Sequence, residues 1–287
     1  MPKSKRWHAQ RLRTVGASEA ASLFGLNPWL SELQLWALKR GITEAGGEES
    51  EYMEWGNRLE GVIAKAYSER TGRKVKRHQR YTVSPLCERL SCHPDFGILG
   101  DFPGLLEVKN VGVTKSSDWE DGAPLHYQIQ LQAQLACTGL SWGSIAALVG
   151  GQKLMWHDYQ RNDAFIATLV SKVTEFWRRV EEDDPPLAVV GDSKILAQVF
   201  PELGDEEPIA LPPEAGDWDE QRQEAMEQIA SWQAKKEEAE IRLKEALGAS
   251  TRGVLVSGVS YTWRIQRRSE YTVKASETRV LRRTGGK

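Results

Sequence analysis

Cysteine is nearly missing from this chain: the three present, Cys87, Cys92 and Cys137, are odd in number and form no paired C-x-x-C motif. That spacing argues against a disulfide framework, a zinc site and a four-cysteine iron–sulfur cluster, leaving buried or idle thiols. Long apolar runs are lacking too. None approaches the roughly 20 residues of a membrane-spanning helix, and the basic start has no apolar segment like that of a secretory signal. A cytoplasmic protein is therefore expected. Nor does one charge dominate, since 38 Lys and Arg stand against 40 Asp and Glu, and the sum alone gives no sign of nucleic acid. There is no internal repeat or low-complexity tract. What the chain does have is an apolar fraction of 40% over 287 residues, enough for one substantial domain and an appendage.

Charge balances overall but is uneven along the chain, and distribution is what an anionic partner meets. Residues 1–15 carry Lys3, Lys5, Arg6, Arg11 and Arg13 with no acid. Residues 70–80 carry Arg70, Arg73, Lys74, Lys76, Arg77 and Arg80, again with no acid. The stretch from Arg252 is basic as well, whereas acid collects in 181–184, 202–207 and 214–227. A basic cluster is often plain solubilising surface. Several of them round one candidate catalytic site favour phosphate contacts.

That site lies in H-P-D-F-G-I-L-G-D-F-P-G-L-L-E-V-K-N, His93 to Asn110. Asp95 sits on one expected strand, Glu107 and Lys109 on the next, and Gly100-Asp101-Phe102-Pro103-Gly104 supplies the reversal. Side chains two apart share a strand face, so Glu107 and Lys109 point one way and Val108 points into the core. An even register, with Asp95 across from Lys109 and Gly97 across from Glu107, brings Asp95 to the same face, about 5–8 Å from both. A one-residue slip would send it to the other side. A Glu-x-Lys pair by itself is usually a solvated face or a cross-strand ion pair. Leu105 and Leu106 ahead of Glu107 instead mark a strand buried on both faces, where charges need a partner or an ion. Two carboxylates and an ammonium on one strand pair suit a divalent cation and an activated water. His93 reads as structural, and Asp101 as a solvent-exposed turn residue.

The elements around this motif follow from spacing. A short helix is expected over Ser18–Gly25, and Ser31 opens another, with Gln34 as capping-box partner and Gly41 as its stop. Segment 43–51 reads as a loop. A longer helix runs from Tyr52 to Thr71 and ends at Gly72, with a stripe of Leu59, Val62, Ile63, Ala66 and Tyr67 and with Glu60 at the stripe's edge. Strands are expected near 74–83, 91–99 and 105–112, then a helix over Pro124–Thr138. A hairpin of 142–149 and 153–160 turns at Gly150-Gly151. Asp163 is expected to cap an amphipathic helix that buries Phe165, Leu169, Val173, Phe176 and Val180. Segment 185–213 is punctuated by proline and reads as a linker or extended crossing segment. From Asp217 to Leu247 runs a charged helix whose thin apolar stripe suits one partner surface or a short coiled coil. Two short strands about Ser257-Gly258 and a basic tail complete the chain. The expected division is 1–184, 185–213 and 214–287.

Five motifs stand in a fixed order: R-L-R-T-V-G-A-S-E; G-L-N-P-W with L-W-A-L-K-R-G; M-E-W-G-N-R-L-E; H-P-D with L-L-E-V-K; and Y-Q-I-Q-L-Q-A-Q-L-A-C-T-G. On these, residues 7–180 resemble the YqaJ-type viral recombinases, the family containing phage lambda exonuclease, within the PD-(D/E)XK nuclease superfamily. The resemblance implies an α/β (α+β) restriction-endonuclease-like core, a mixed central sheet flanked by helices, with a C-terminal helical extension and a small hairpin. It also implies an exonuclease that uses Mg²⁺, or Mn²⁺, with two ions per site, to degrade one strand of linear double-stranded DNA from its 5′ end. Asp95 and Glu107 would then be metal ligands, helped by the Val108 carbonyl, and Lys109 would position or help deprotonate the attacking water. Glu60 would serve a second metal or its waters. Tyr127 and Gln130 would lie against the scissile phosphate, and Arg11 and Ser18 would receive a terminal 5′-phosphate. A serine at a helix start suits that role, because free backbone N–H groups favour an anion. The implied partners are DNA ends, a single-strand annealing protein and further copies of the chain in a ring-shaped homotrimer, with no membrane.

Other readings stay open on the residues alone. Glu60 could simply pair with Arg58 or Lys65, and Tyr127 and Gln130 could be surface residues of an amphipathic helix. The chain as a whole could be a non-catalytic DNA-end binder or a recombination adaptor working through its 217–247 helix. A RecB-like nuclease shares the core, although relatives built round an iron–sulfur cluster need four cysteines.

Overall fold

A five-stranded mixed sheet carries the candidate motif. The computed structural model describes residues 10–44, 50–78, 80–202, 204, 207–270, 272, 275 and 279–284. Lys3, Lys5 and Arg6 of the first basic cluster, and most of the loop expected over 43–51, lie outside them. The strands of unit Met1–Pro201 are β1 (Val15–Gly16), β2 (Lys74–Arg77), β3 (Thr82–Ser84), β4 (Cys87–Cys92), β5 (Phe96–Leu99), β6 (Gly104–Val111), β7 (Trp142–Val149) and β8 (Lys153–Gln160). The main sheet has the order β2-β5-β6-β7-β8, with β6 and β7 parallel and the other pairs antiparallel. A smaller, separate sheet has the order β1-β4-β3.

The helices form where caps and apolar spacing agree. They are α1 (Glu32–Arg40), α2 (Glu51–Thr71), α3 (Leu125–Thr138), α4 (Asp163–Glu182) and α5 (Ser193–Val199), preceded by a 3-10 helix over Ala17–Phe24. The expected capping box closes α1: Gln34 N donates to Ser31 Oγ at 3.0 Å, and Ser31 N donates to Gln34 Oε1 at 3.3 Å. Gly41, Gly72 and Gly139 end α1, α2 and α3 in the left-handed region, at φ 75°, 72° and 75°. Gly150 and Gly151 take φ 60° and 74° at the β7–β8 turn, as the hairpin requires.

Several expectations need correction. The single strand foreseen over 74–83 is two, β2 and β3, in different sheets, and the strand over 91–99 breaks at Pro94 between β4 and β5. Asn162, not Asp163, caps α4, its Oδ1 accepting from Phe165 N at 3.0 Å. Val62 is 58% exposed and off the buried stripe of α2, which uses Ile63, Ala64 and Tyr67. Segment 185–213 contains α5. Its entry residue Asp192 is buried and accepts from Ser31 Oγ at 2.7 Å and Gln34 Nε2 at 2.9 Å, so this part of the segment is tied to the start of α1.

The two faces of β6 are sorted by parity. Leu106 and Val108 pack with Ile63, Ala64 and Tyr67 of α2. Leu105 and Val111 pack with Leu131 and Leu135 of α3, together with Ile145, Ala147 and Val149 of β7. The outer side of α3 (Ile129, Ala133, Ala136) faces a second core made by the 3-10 helix, α1 and α4. Helix α3 is thus covered on both sides.

The second unit, Glu202–Lys287, holds α6 (Ala215–Leu247) and the antiparallel pair β9 (Arg252–Val254) and β10 (Ser260–Thr262). Helix α6 runs for 33 residues without one buried side chain among those described. No helix among the described residues is long and apolar enough to cross a membrane.

Trp142 packs against the first residue of β6. A Cβ on Gly104 would lie 2.6 Å from Trp142 Cε2, and the indole is pinned by Nε1 donating to the Phe102 carbonyl at 3.1 Å. Gly104→Ala is expected to destabilise the protein by about 1–3 kcal/mol, the usual cost of forcing volume into a filled site. Chemical denaturation checks this, and an unchanged midpoint would refute it.

Candidate active site

Observed pairing sets Gly97 against Leu105 and Phe96 against Leu106, two residues away from the register expected. A shift of two preserves parity, so Asp95 stays on the face of Glu107 and Lys109, now opposite Glu107 rather than Lys109. Asp95 sits just before β5, where Pro94 turns the chain from β4. Its backbone carbonyl still accepts from His78 N at 2.9 Å, while its side chain reaches across to β6, where Oδ2 accepts from Val108 N at 3.1 Å.

Glu107 is the centre of the cluster and only 2% exposed. Its Oε1 accepts from Lys109 Nζ at 2.5 Å and Gln130 Nε2 at 2.6 Å, and its Oε2 accepts from Gln134 Nε2 at 2.7 Å. Lys109 Nζ also donates to Gln130 Oε1 at 3.2 Å and lies 4.9 Å from the centre of the Tyr127 ring. Strand β6 and helix α3 therefore supply the site together: the strand gives Glu107 and Lys109, and one face of the helix gives Tyr127, Gln130 and Gln134. Gln134 was missed from sequence, although its four-residue spacing from Gln130 places both on one side of a helix.

Electrostatics mark the pair of acids. Burial drives the Asp95 carboxyl well above its ordinary range and Glu107 adds to this, with Lys109, the Val108 N–H and then Glu60 as smaller influences. Burial pulls the Lys109 amine down, but Glu107 and Asp95 outweigh it and hold the amine above its usual value. Burial also raises the Tyr127 hydroxyl.

The other candidates are placed differently. Glu60 comes from α2, the helix on the opposite face of the sheet, and its Oε2 accepts from Arg77 Nη1 at 3.1 Å. Arg58 and Lys65, the partners weighed from sequence, pair with Glu54 and Glu69 instead. Among the described residues no three His, Cys, Asp or Glu side chains gather closely enough to hold a metal ion, so Glu60 does not complete a three-acid cage. Asp101 and His93 are exposed. Arg11 and Ser18 stand on either side of strand β1 in the sequence, with Ser18 exposed near the start of the 3-10 helix. Arg11 is engaged by buried Glu19, to which its Nε donates at 3.1 Å. Glu19 Oε2 also accepts from Lys39 Nζ at 2.7 Å and Gly16 N at 2.8 Å. Although burial opposes it, Lys39 and Arg11 hold the Glu19 carboxyl below its ordinary range. Two cations face one carboxylate, and Arg11 is the member that reaches solvent, at 32% exposure against 0% for Lys39. Neither Glu19 nor Lys39 was singled out from sequence, since a buried ion cluster leaves no spacing signature.

Residues 6–141 match the model of the YqaJ-like viral recombinase domain. The matched stretch is a little under half of the chain, which is thus similar to that domain over its N-terminal part. The chain is 30% identical over 174 residues to the uncharacterized protein YqaJ of Bacillus subtilis, covering 60% of this chain and 54% of that protein, so it spans about half the length of this relative. The fold is like that of an alkaline exonuclease (LHK-Exo) from Laribacter hongkongensis, with TM-score 0.51 and 24% identity over 63% of this chain and 94% of that one. A structure of LHK-Exo in complex with dAMP matches equally, at TM-score 0.51. The likeness to LHK-Exo establishes the mixed sheet flanked by helices as the fold of this region. The region that matches the family model ends at Ser141, one residue before β7, and so contains every candidate site residue named above.

Asp95 makes the stability of this protein depend on pH. A carboxyl whose folded value is raised keeps its proton longer in the folded state, so stability falls as pH climbs from the ordinary value of 3.8 towards the raised one. Asp95→Asn removes that penalty while keeping an acceptor for Val108 N. In chelator the variant should melt above wild type at neutral pH, by about 2–4 °C for each ~1 kcal/mol relieved, and the two should converge in acid. Melting curves that coincide at every pH would contradict the assignment.

Proposed function

We propose that this chain is a divalent-metal-dependent exonuclease that degrades one strand of linear double-stranded DNA from its 5′ end, in the service of phage-type homologous recombination. One observation carries the reading: Asp95 and Glu107 converge on one face of the sheet beside Lys109, under a helix face of Tyr127 and Gln130.

The donor set fits a hard cation. Burial, and after it the neighbouring charge of Glu107, lift the Asp95 carboxyl, a conflict that a divalent ion relieves. Mg²⁺ takes one or two carboxylates and keeps waters or substrate phosphate for the rest, so a full protein cage is unnecessary. Asp95, Glu107 and the Val108 carbonyl would hold it, and Mn²⁺ suits the same oxygens. Glu60, felt at Asp95 but tied to Arg77, would serve a second ion or its waters. When bound, the metal supplies charge neutralisation at the phosphate and acidifies the attacking water.

The chain's own groups do the positioning. Lys109 stays an ammonium, since Glu107 and Asp95 stabilise its charge, and it orients the attacking water or a phosphate oxygen rather than taking a proton. Gln130 braces both Lys109 and Glu107 and so fixes their relative geometry. Tyr127 packs beneath the ammonium and borders the phosphate. Arg11, the solvent-reaching cation of the Glu19 cluster, and Ser18 at the helix start would receive the terminal 5′-phosphate. A single-strand annealing protein as recipient of the product, and a closed ring of three copies, extend the same proposal.

End-labelled linear duplex compared with closed circular duplex, in Mg²⁺ or in chelator, tests the activity: only the linear form with Mg²⁺ should release nucleotides. Lys109→Ala should slow release about 10²–10³-fold, the cost of removing one preorganised charge. Release at the wild-type rate would take Lys109 out of the mechanism. Arg11→Ala should reduce the preference for 5′-phosphorylated over 5′-hydroxyl ends by about 10–100-fold, as expected for a lost charged hydrogen bond. An unchanged ratio of rates would reject the phosphate pocket.

A further inference from the structure

We infer that Trp29 is a stacking platform for a nucleobase neighbouring the phosphate that Lys109 handles. The inference rests on the nuclease reading and names a substrate contact within it. Trp29 belongs to G-L-N-P-W, a motif the catalytic scheme leaves unused. Tryptophan is usually well covered in folded proteins, yet this one is 69% exposed. Its loop is braced. Trp29 N donates to Asn27 Oδ1 at 3.0 Å, and Asn27 Nδ2 donates to Ser22 Oγ at 3.1 Å. Pro28 restricts the backbone before it, and Ser31, two residues on, is the N-cap of α1. A braced ring with few rotamers loses little entropy when a second ring lies on it.

Its neighbours put it at the rim of the candidate site. The Trp29 ring meets His126 edge-on at 5.1 Å and 87°, and lies 6.3 Å from the Tyr127 ring. Tyr127 in turn carries Lys109 Nζ 4.9 Å from its centre. One aromatic residue therefore separates Trp29 from the ammonium. His126 Nε2 is buried without a hydrogen-bond partner among the described residues, which leaves one unmet polar group in the platform. An aromatic face beside phosphate-handling charge is how proteins hold single strands without reading sequence. Paired bases hide their faces in the duplex stack, so Trp29 would take a base from an unpaired end.

The test uses the full chain in chelator, where no cleavage intrudes. It is titrated with a fluorescein-labelled, 5′-phosphorylated single-stranded oligonucleotide and with the same oligonucleotide made abasic at its first nucleotides. Trp29→Ala should weaken binding of the intact oligonucleotide about 5–150-fold, the range for one lost base stack, and Trp29→Phe should weaken it less. The abasic oligonucleotide should bind wild type and Trp29→Ala alike. Stacking is overturned if Trp29→Ala keeps wild-type affinity, or if the abasic and alanine penalties add in full. It is equally overturned if the substitution lowers the oligomeric mass while affinity per subunit holds, which would make Trp29 an interface between copies. Digestion of linear duplex in Mg²⁺ runs alongside. Wild type that digests DNA while Trp29→Ala binds normally removes the platform alone, and wild type that neither digests nor binds removes the nuclease reading with it.

Discussion

A carboxylate buried in the middle of a sheet is the constraint on which the rest of this structure turns. Glu107 lies on β6 between two apolar layers and must find donors for both oxygens inside the protein. Lys109 supplies one from the same strand face, and Gln130 and Gln134 supply the others from one side of α3. That requirement ties the crossover helix to its strand in a single register. Rotating α3 by one residue would leave Glu107 unsatisfied and turn glutamines into the apolar layer of Leu131 and Leu135.

The same constraint explains why α3 is dressed on two sides. Its inner face pairs apolar contact with β6 and β7 against the glutamine hydrogen bonds, while its outer face closes a second core with the 3-10 helix, α1 and α4. Being held from both sides, the helix presents Tyr127 and Gln130 with little freedom. The N-terminal segment that packs behind it contributes the Arg11–Glu19–Lys39 cluster and the Trp29 loop. Elements far apart in sequence thus meet around one helix, and the candidate chemistry is spread over its two ends of contact.

Electrostatic conflict at the site is selective. Glu107 has its donors, whereas Asp95 has one backbone N–H and a crowded, half-buried position next to another acid. The tension sits on the residue that a cation would relieve, and Lys109 keeps its charge because both acids favour it. Glu60 contributes at a distance from the other face of the sheet, engaged by Arg77 from the edge strand β2.

Residue order alone determined much of this protein. Strand alternation around Glu107, Val108 and Lys109, the glycine stops of three helices, the capping box at Ser31 and the Gly150-Gly151 turn are local properties, carried by backbone sterics and side-chain parity, and each is present in the fold. What only tertiary structure decided is where chain reversals and partners fall. The β5–β6 register settled two residues from expectation, with Trp142 of the neighbouring strand β7 filling the space at Gly104 where β6 begins. The strand expected over 74–83 divided between two sheets, and Asp192 drew part of a supposed linker onto α1. Glu60 met Arg77 rather than a neighbour on its own helix, and Gln134, Glu19 and Lys39 acquired roles through contacts across 20 or more residues. Long-range pairing of buried charge has no period in the sequence, so it can be seen only once the chain has folded.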